Sequence, residues 1–127
     1  MAARNWAGPW QHVPAGKPAL ARDWARVLAP FLPAGTAEPE VQLHLRRHLE
    51  TLHDAVLAEP PDAAEAAGVG AALVEHGLVD PDAIAVTIAL LGDRLLTDLG
   101  LDESTFRPPL HLLLGAIAAG YARALTR

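Results

Sequence analysis

The stretch DPDAIAVTIALLGDRLLTDLG, Asp80 to Gly100, decides the fold. Asp80 can accept from the free N–H groups of a first helical turn, and Pro81 suits the first helical position. Asp80 and Asp82 both favour the positive end of the helix dipole. Ile84, Ile88, Leu91 and Leu95 recur at helical spacing and form the expected core stripe, and Gly100 ends the run. No part of the chain alternates apolar and polar residues at period two. The spacing predicts an all-α fold, a single compact bundle of about five helices with an irregular N-terminal arm.

Upstream of this helix four, an alanine-rich helix three is expected from about Asp62 to His76, stopped by Gly77. Gly68 and Ala72, one turn apart, would let a neighbouring backbone come close. Helix two is expected to start near Thr36, with Pro39 in its first turn, and to end before Pro60-Pro61; its stripe is Val41, Leu45, Leu49, Leu52 and Val56. Helix one is expected over Pro18 to Phe31, with Leu20, Trp24, Val27, Leu28 and Phe31 on one face. Residues 1–17, broken by Gly and Pro every few positions, read as the arm, with Trp6 and Trp10 anchoring it on the bundle; residues 18–127 form the helical domain.

Downstream, LHLLLGAIAAGYARALTR, Leu110 to Arg127, predicts helix five, beginning after Arg107 with Pro108-Pro109 at its start. Leu110, Leu113, Leu114, Ile117, Tyr121 and Ala124 make one apolar stripe. The opposite face, Leu112, Gly115, Ala119 and Ala122, is small and uncharged, and Val86 and Leu90 on the back of helix four add to the apolar excess. A helix apolar all round is buried on both sides. Either it is the central helix of the bundle, or that second face is a contact between two copies of the chain.

Composition narrows the function classes. The 127 residues suit one domain with a real core. A net charge of −5, with Arg46-Arg47 the only adjacent basic pair, argues against a nucleic-acid partner, which needs a basic face to displace counterions. The absence of cysteine removes disulfides, thiolate metal sites and a Cys nucleophile, and fits a reducing cytoplasm. The N-terminus has no apolar signal-peptide core, and the apolar run from Leu110 to Ala122, interrupted by His111, falls short of the roughly 20 residues a bilayer requires. No membrane partner is expected.

Catalytic motifs are missing. Ser104 is the only serine and has no G-x-S-x-G around it; Lys17 is the only lysine. Gly68-Val69-Gly70 lacks the preceding strand that dinucleotide binding requires. Glu75, Asp93, Asp98, Asp102 and Glu103 read as solvated faces or caps. No catalytic residue, resident metal or cofactor is assigned.

The histidines are sharper. HLRRHLETLH puts His44 and His48 one turn apart on helix two, with Glu40 a further turn back. That column is the candidate ligand-binding site. Imidazole and carboxylate at this spacing would suit a divalent metal, and a histidine in a compact bundle would suit haem, so a metal-binding or globin-like helical sensor is the alternative reading. A plainer reading makes His48 a half-buried residue at the margin of the apolar stripe. His53 points the other way, and His76 is explained by the helix C-terminus and Gly77.

Three stretches, ALARDWARVLAP (19–30), VGAALVEHGLVDPDAIAVTIALLGDRLLTDLGL (69–101) and LHLLLGAIAAGYARAL (110–125), together resemble the N-terminal region of actinobacterial multidomain signalling proteins that carry GGDEF and usually EAL domains. Those proteins are diguanylate cyclases and cyclic-di-GMP phosphodiesterases. The resemblance implies an N-terminal sensory and regulatory module, cut before a signalling linker and followed in the parent chain by PAS, GGDEF or EAL domains. It favours a homodimer through helix five, because a diguanylate cyclase needs two GGDEF domains together, and it implies a small-molecule signal. No GGDEF or EAL motif occurs in the chain, so no catalytic residue of the family carries over and the chain itself is not expected to be an enzyme.

Overall fold

Helices occupy most of residues 16–127, the part of the chain that the structure, a computed structural model, describes. The expectations for Trp6 and Trp10 concern residues outside that range. The order is α1 (Gly16–Leu28), a short 3-10 turn (Ala29–Phe31), α2 (Glu38–Leu57), α3 (Ala63–Glu75), α4 (Pro81–Leu99) and α5 (Glu103–Leu125). There is no strand among the described residues, and the fold is the all-α bundle expected. Gly16 and Lys17, assigned to the arm, open α1.

Three aspartates set where helices begin. Asp62 Oδ1 accepts from the Glu65 N–H at 3.1 Å, Asp80 Oδ1 from the Asp82 N–H at 2.9 Å and Asp102 Oδ2 from the Thr105 N–H at 2.8 Å. Each satisfies a donor that the first turn leaves free.

The third cap corrects the start of the last helix. α5 begins at Glu103, a full turn before Pro108 and Pro109, which lie inside it. Prolines there deny the Ser104 and Thr105 carbonyls their helical donors, but both residues are exposed, so the cost of burying an unpaired carbonyl does not arise. The early turn is also fastened to α4. Arg107 donates to the Gly92 carbonyl at 2.8 Å and pairs with Glu103, whose carboxylate accepts from Thr97 Oγ1 at 3.1 Å.

The tightest packing joins α3 and α5, the most extensive helix pair. A methyl group added at Gly70 would overlap the Ile117 carbonyl, and one at Gly120 would overlap the Ala67 carbonyl. Only hydrogen in place of a side chain allows these backbones to meet. The expected close approach at Gly68 and Ala72 is therefore displaced to Gly70: Gly68 is exposed, with open space around it.

Around that pair, α1 packs on α2 and α4, α4 on α5, and α2 on α3 and α5. The core holds Leu20, Trp24 and Leu28 of α1, the whole expected stripe of α2, and Leu73, Leu91, Leu95, Leu113 and Ile117. Each fully buried leucine contributes roughly 2 kcal/mol by leaving water. In α4 the stripe is rotated from its expected position. Ala83, Thr87, Leu91 and Leu95 are buried, while Ile84 and Ile88 lie at the margin.

Asp98, expected on a solvated face, is only 6% exposed. Its Oδ2 accepts from Arg94 Nε at 3.1 Å and Nη2 at 2.7 Å, and the third guanidinium nitrogen reaches Asp23 Oδ2 at 2.6 Å. That hydrogen bond with Arg94 holds the Asp23 carboxyl below its ordinary range, against the opposing effect of burial.

The structure excludes one explanation of the apolar helix, a central position in the bundle with both faces buried. α5 is an outer helix. It buries Leu110, Leu113, Ile117, Gly120, Tyr121 and Ala124, whereas Leu112, Gly115, Ala119 and Ala122 are exposed on the single chain. No helix among the described residues is long and apolar enough to cross a membrane.

Candidate functional site: a histidine-walled cleft between α2 and α3

The site starts from the end of α3. The helix stops at Gly77, which adopts the left-handed conformation with φ +88°. The Leu78 N–H then bonds the Leu73 carbonyl at 3.0 Å and the Gly77 N–H the Val74 carbonyl at 2.9 Å, closing the helix end in a Schellman turn. Tyr121 holds the far side of this turn from α5: its phenol oxygen lies 2.7 Å from the Leu78 carbonyl and 2.9 Å from that of Asp80, two acceptors sharing one proton. Burial, with the Asp80 charge, pushes the phenol pKa up.

This turn places His76, the last residue before Gly77, against α2. The His76 ring centroid lies 4.6 Å from that of His44 with the planes tilted by 36°, and 5.8 Å from that of His48. His48 in turn lies 6.5 Å from the Trp24 ring. A row of rings therefore runs from the surface at His44 and His76 through His48 to the buried indole of α1.

Beside the two outer rings is a cleft of about 220 Å³. Val41, Leu45, Leu73 and Leu78 make its buried floor, and Thr36 and Glu40 stand at its exposed edge with the imidazoles of His44 and His76. That volume is below the roughly 300–1,000 Å³ of sites for drug-sized ligands. It suits a compact, mainly apolar molecule with one or two hydrogen-bonding groups, and is too small for a porphyrin.

The predicted column Glu40–His44–His48 is brought together only in part. Glu40 Oε1 lies 3.9 Å from His44 Nε2, and both line the cleft. His48 turns inward: its Nε2 is buried and has no hydrogen-bond partner among the described residues. Burial, reinforced by the proximity of His76 and His44, lowers its pKa to about 4. Among the described residues, no three His, Cys, Asp or Glu side chains are arranged to hold a metal ion.

His76 is the residue that sequence reasoning missed. A helix C-terminus favours a charged imidazole, yet burial and the neighbouring His44 lower the His76 pKa, offset in part by Glu75 and Glu40. Its partners are some thirty residues away in the chain, so no local pattern announces them.

The arrangement offers recognition, with hydrogen-bonding groups at the edge of an apolar floor. Imidazoles beside an apolar floor can give and accept hydrogen bonds. No protein-family model, no curated protein and no solved structure matches the chain.

Proposed function

We propose that this chain is a non-enzymatic regulatory input domain that binds a small molecule in the α2–α3 cleft and self-associates through the outer face of α5. The observation that carries this reading is the cleft itself, a concave apolar site with convergent polar groups at its edge. The resemblance of residues 19–30, 69–101 and 110–125 to the N-terminal region of GGDEF/EAL proteins supplies the setting. In that setting the domain acts in the cytoplasm and controls a cyclic-di-GMP cyclase or phosphodiesterase through a dimer.

Support for the dimer half is the uncharged outer face of α5. Leu112 is 52% exposed, and Gly115, Ala119 and Ala122 share its surface with no side chain large enough to keep a second backbone away. Light scattering after gel filtration tests it. A dimer weakened by Gly115→Leu or Ala119→Leu is expected; a strict monomer at high micromolar concentration overturns it. For the ligand half, a panel of small aromatic and aliphatic alcohols, acids and amides is titrated while the His44 and His76 ring resonances are followed. A compound that shifts them saturably in the native chain, but not in a Leu73→Trp variant whose cleft is filled, is the expected result. No saturable shift from any member of the panel overturns it.

A further inference from the structure

We propose that the contact between α2 and α3 is a proton-operated latch, in which protonation of the His48 and His76 imidazoles separates the N-terminal half of α2 from α3 and opens the cleft between them.

The geometry makes this contact unusual. Two helices meet through three imidazoles, and the innermost, His48, has a buried nitrogen with no hydrogen-bond partner among the described residues. Protonating His48 or His76 places a cation against another basic ring, and protonating the buried nitrogen of His48 places a charge where no partner receives it. The charged and titratable groups around the cluster are few. From α2 come Glu40 and His44 themselves, and from the α3 end come Glu75 and His76. α1 presents Trp24, which does not titrate. Glu40 and Glu75 are exposed and act on His76; the groups that act on His48 are the other two imidazoles. The closed contact therefore excludes protons.

The sign follows from linkage. His48 titrates near 4 in the closed contact and near 6.5 once it reaches water. The closed state is undisturbed above pH 6.5 and loses ground as the pH falls from 6.5 towards 4. From His48 alone the ratio of open to closed molecules rises roughly thirty-fold between pH 7.5 and pH 5, and the lowered pKa of His76 acts in the same direction.

α2 is the side that moves. The α3–α5 contact is sealed by Gly70 and Gly120, and the turn after α3 is held by Tyr121. The contact of α2 with α3 is lighter, and the segment leading into α2, residues 33–40, is exposed throughout. The latch operates with the cleft empty.

Hydrogen exchange read by mass spectrometry on the full chain at pH 7.5 and pH 5, with labelling times corrected for the intrinsic pH dependence of exchange, tests this. Peptides covering residues 38–48 are expected to exchange at least ten-fold faster at pH 5, while peptides from residues 110–124 of α5 keep their protection. His48→Leu, similar in size and unable to titrate, is expected to abolish most of that increase. A response that persists in His48→Leu, equal loss of protection in α2 and α5, or no increase at all overturns the proposal. Histidine ring titration by NMR on the unaltered chain gives a second readout that needs no variant. A His48 ring that titrates with an ordinary pKa near 6.5 while α2 stays protected also overturns it.

Discussion

The indole Nε1 of Trp24 donates to the hydroxyl of Thr87 at 3.0 Å across the α1–α4 contact, and both residues are completely buried. This single bond explains the rotation of α4. An indole N–H in the core needs an acceptor, and turning Thr87 inward supplies one while Ile84 and Ile88 move to the margin. Thr87→Val, nearly the same shape, leaves the N–H unpaired and is expected to cost about 1–3 kcal/mol in urea denaturation. Trp24→Phe added to that variant removes the stranded donor, so the two substitutions together should cost less than the sum of each alone.

Glycine positions in α3 and α5 separate into two kinds. Gly70→Ala and Gly120→Ala each drive a methyl group into backbone of the opposite helix, which cannot give way as a side-chain tip can. Each is expected to destabilise by about 3 kcal/mol or more. Gly68→Ala, two residues from Gly70 but in open space, is expected to stabilise by up to about 1 kcal/mol through helix propensity. Thermal unfolding of the three variants checks the contrast, and a destabilised Gly68→Ala would contradict the helix orientation described above.

Arg94 is the only hydrogen-bond donor to the Asp98 side chain among the described residues. Arg94→Met keeps much of the packing but strands a nearly buried carboxylate. A loss of about 3 kcal/mol at neutral pH is expected. Asp98→Asn in the same chain should recover a substantial part, because the stranded charge is gone. Denaturant midpoints of the single and double variants measure this.

The first turn of α5 depends on Asp102, whose Oδ2 accepts from the Thr105 N–H, Thr105 Oγ1 at 2.7 Å and Ser104 Oγ at 2.8 Å. These bonds hold its carboxyl pKa below the ordinary value. Asp102→Ala is expected to weaken the cap and to release residues 103–107, since Pro108 and Pro109 give the remaining helix a natural new start. Faster amide exchange confined to that turn is the expected signature; unchanged protection there would show that Arg107 and Glu103 suffice.

Short-range chemistry made much of this bundle readable in advance. The boundaries of α3 and α4 follow from Asp62, Gly77, Asp80, Pro81 and Gly100, because caps and breakers act within one turn of the chain. The stripe of α2 was legible because every apolar residue on it is large and falls on one face. Pro108 and Pro109 misled for the same reason: a local rule places a helix start at proline, whereas Asp102 and the bonds from Thr97 and Arg107 secure one turn more.

The histidine cleft was half legible. Spacing alone puts Glu40, His44 and His48 on one side of α2, since 3.6 residues per turn brings every fourth side chain round again. Nothing near His76 in the chain says that it closes on them. Likewise, sequence pattern by itself determined an all-α chain, the ends of its middle helices and an apolar excess on α5. Tertiary structure alone decided which way α4 faces, which glycines admit a neighbouring backbone, and that the small face of α5 lies outward. Periodicity is a property of one helix, but the rotation of that helix is set by partners far away in the chain: the indole that needs an acceptor, and the carbonyl that leaves no room for a methyl group.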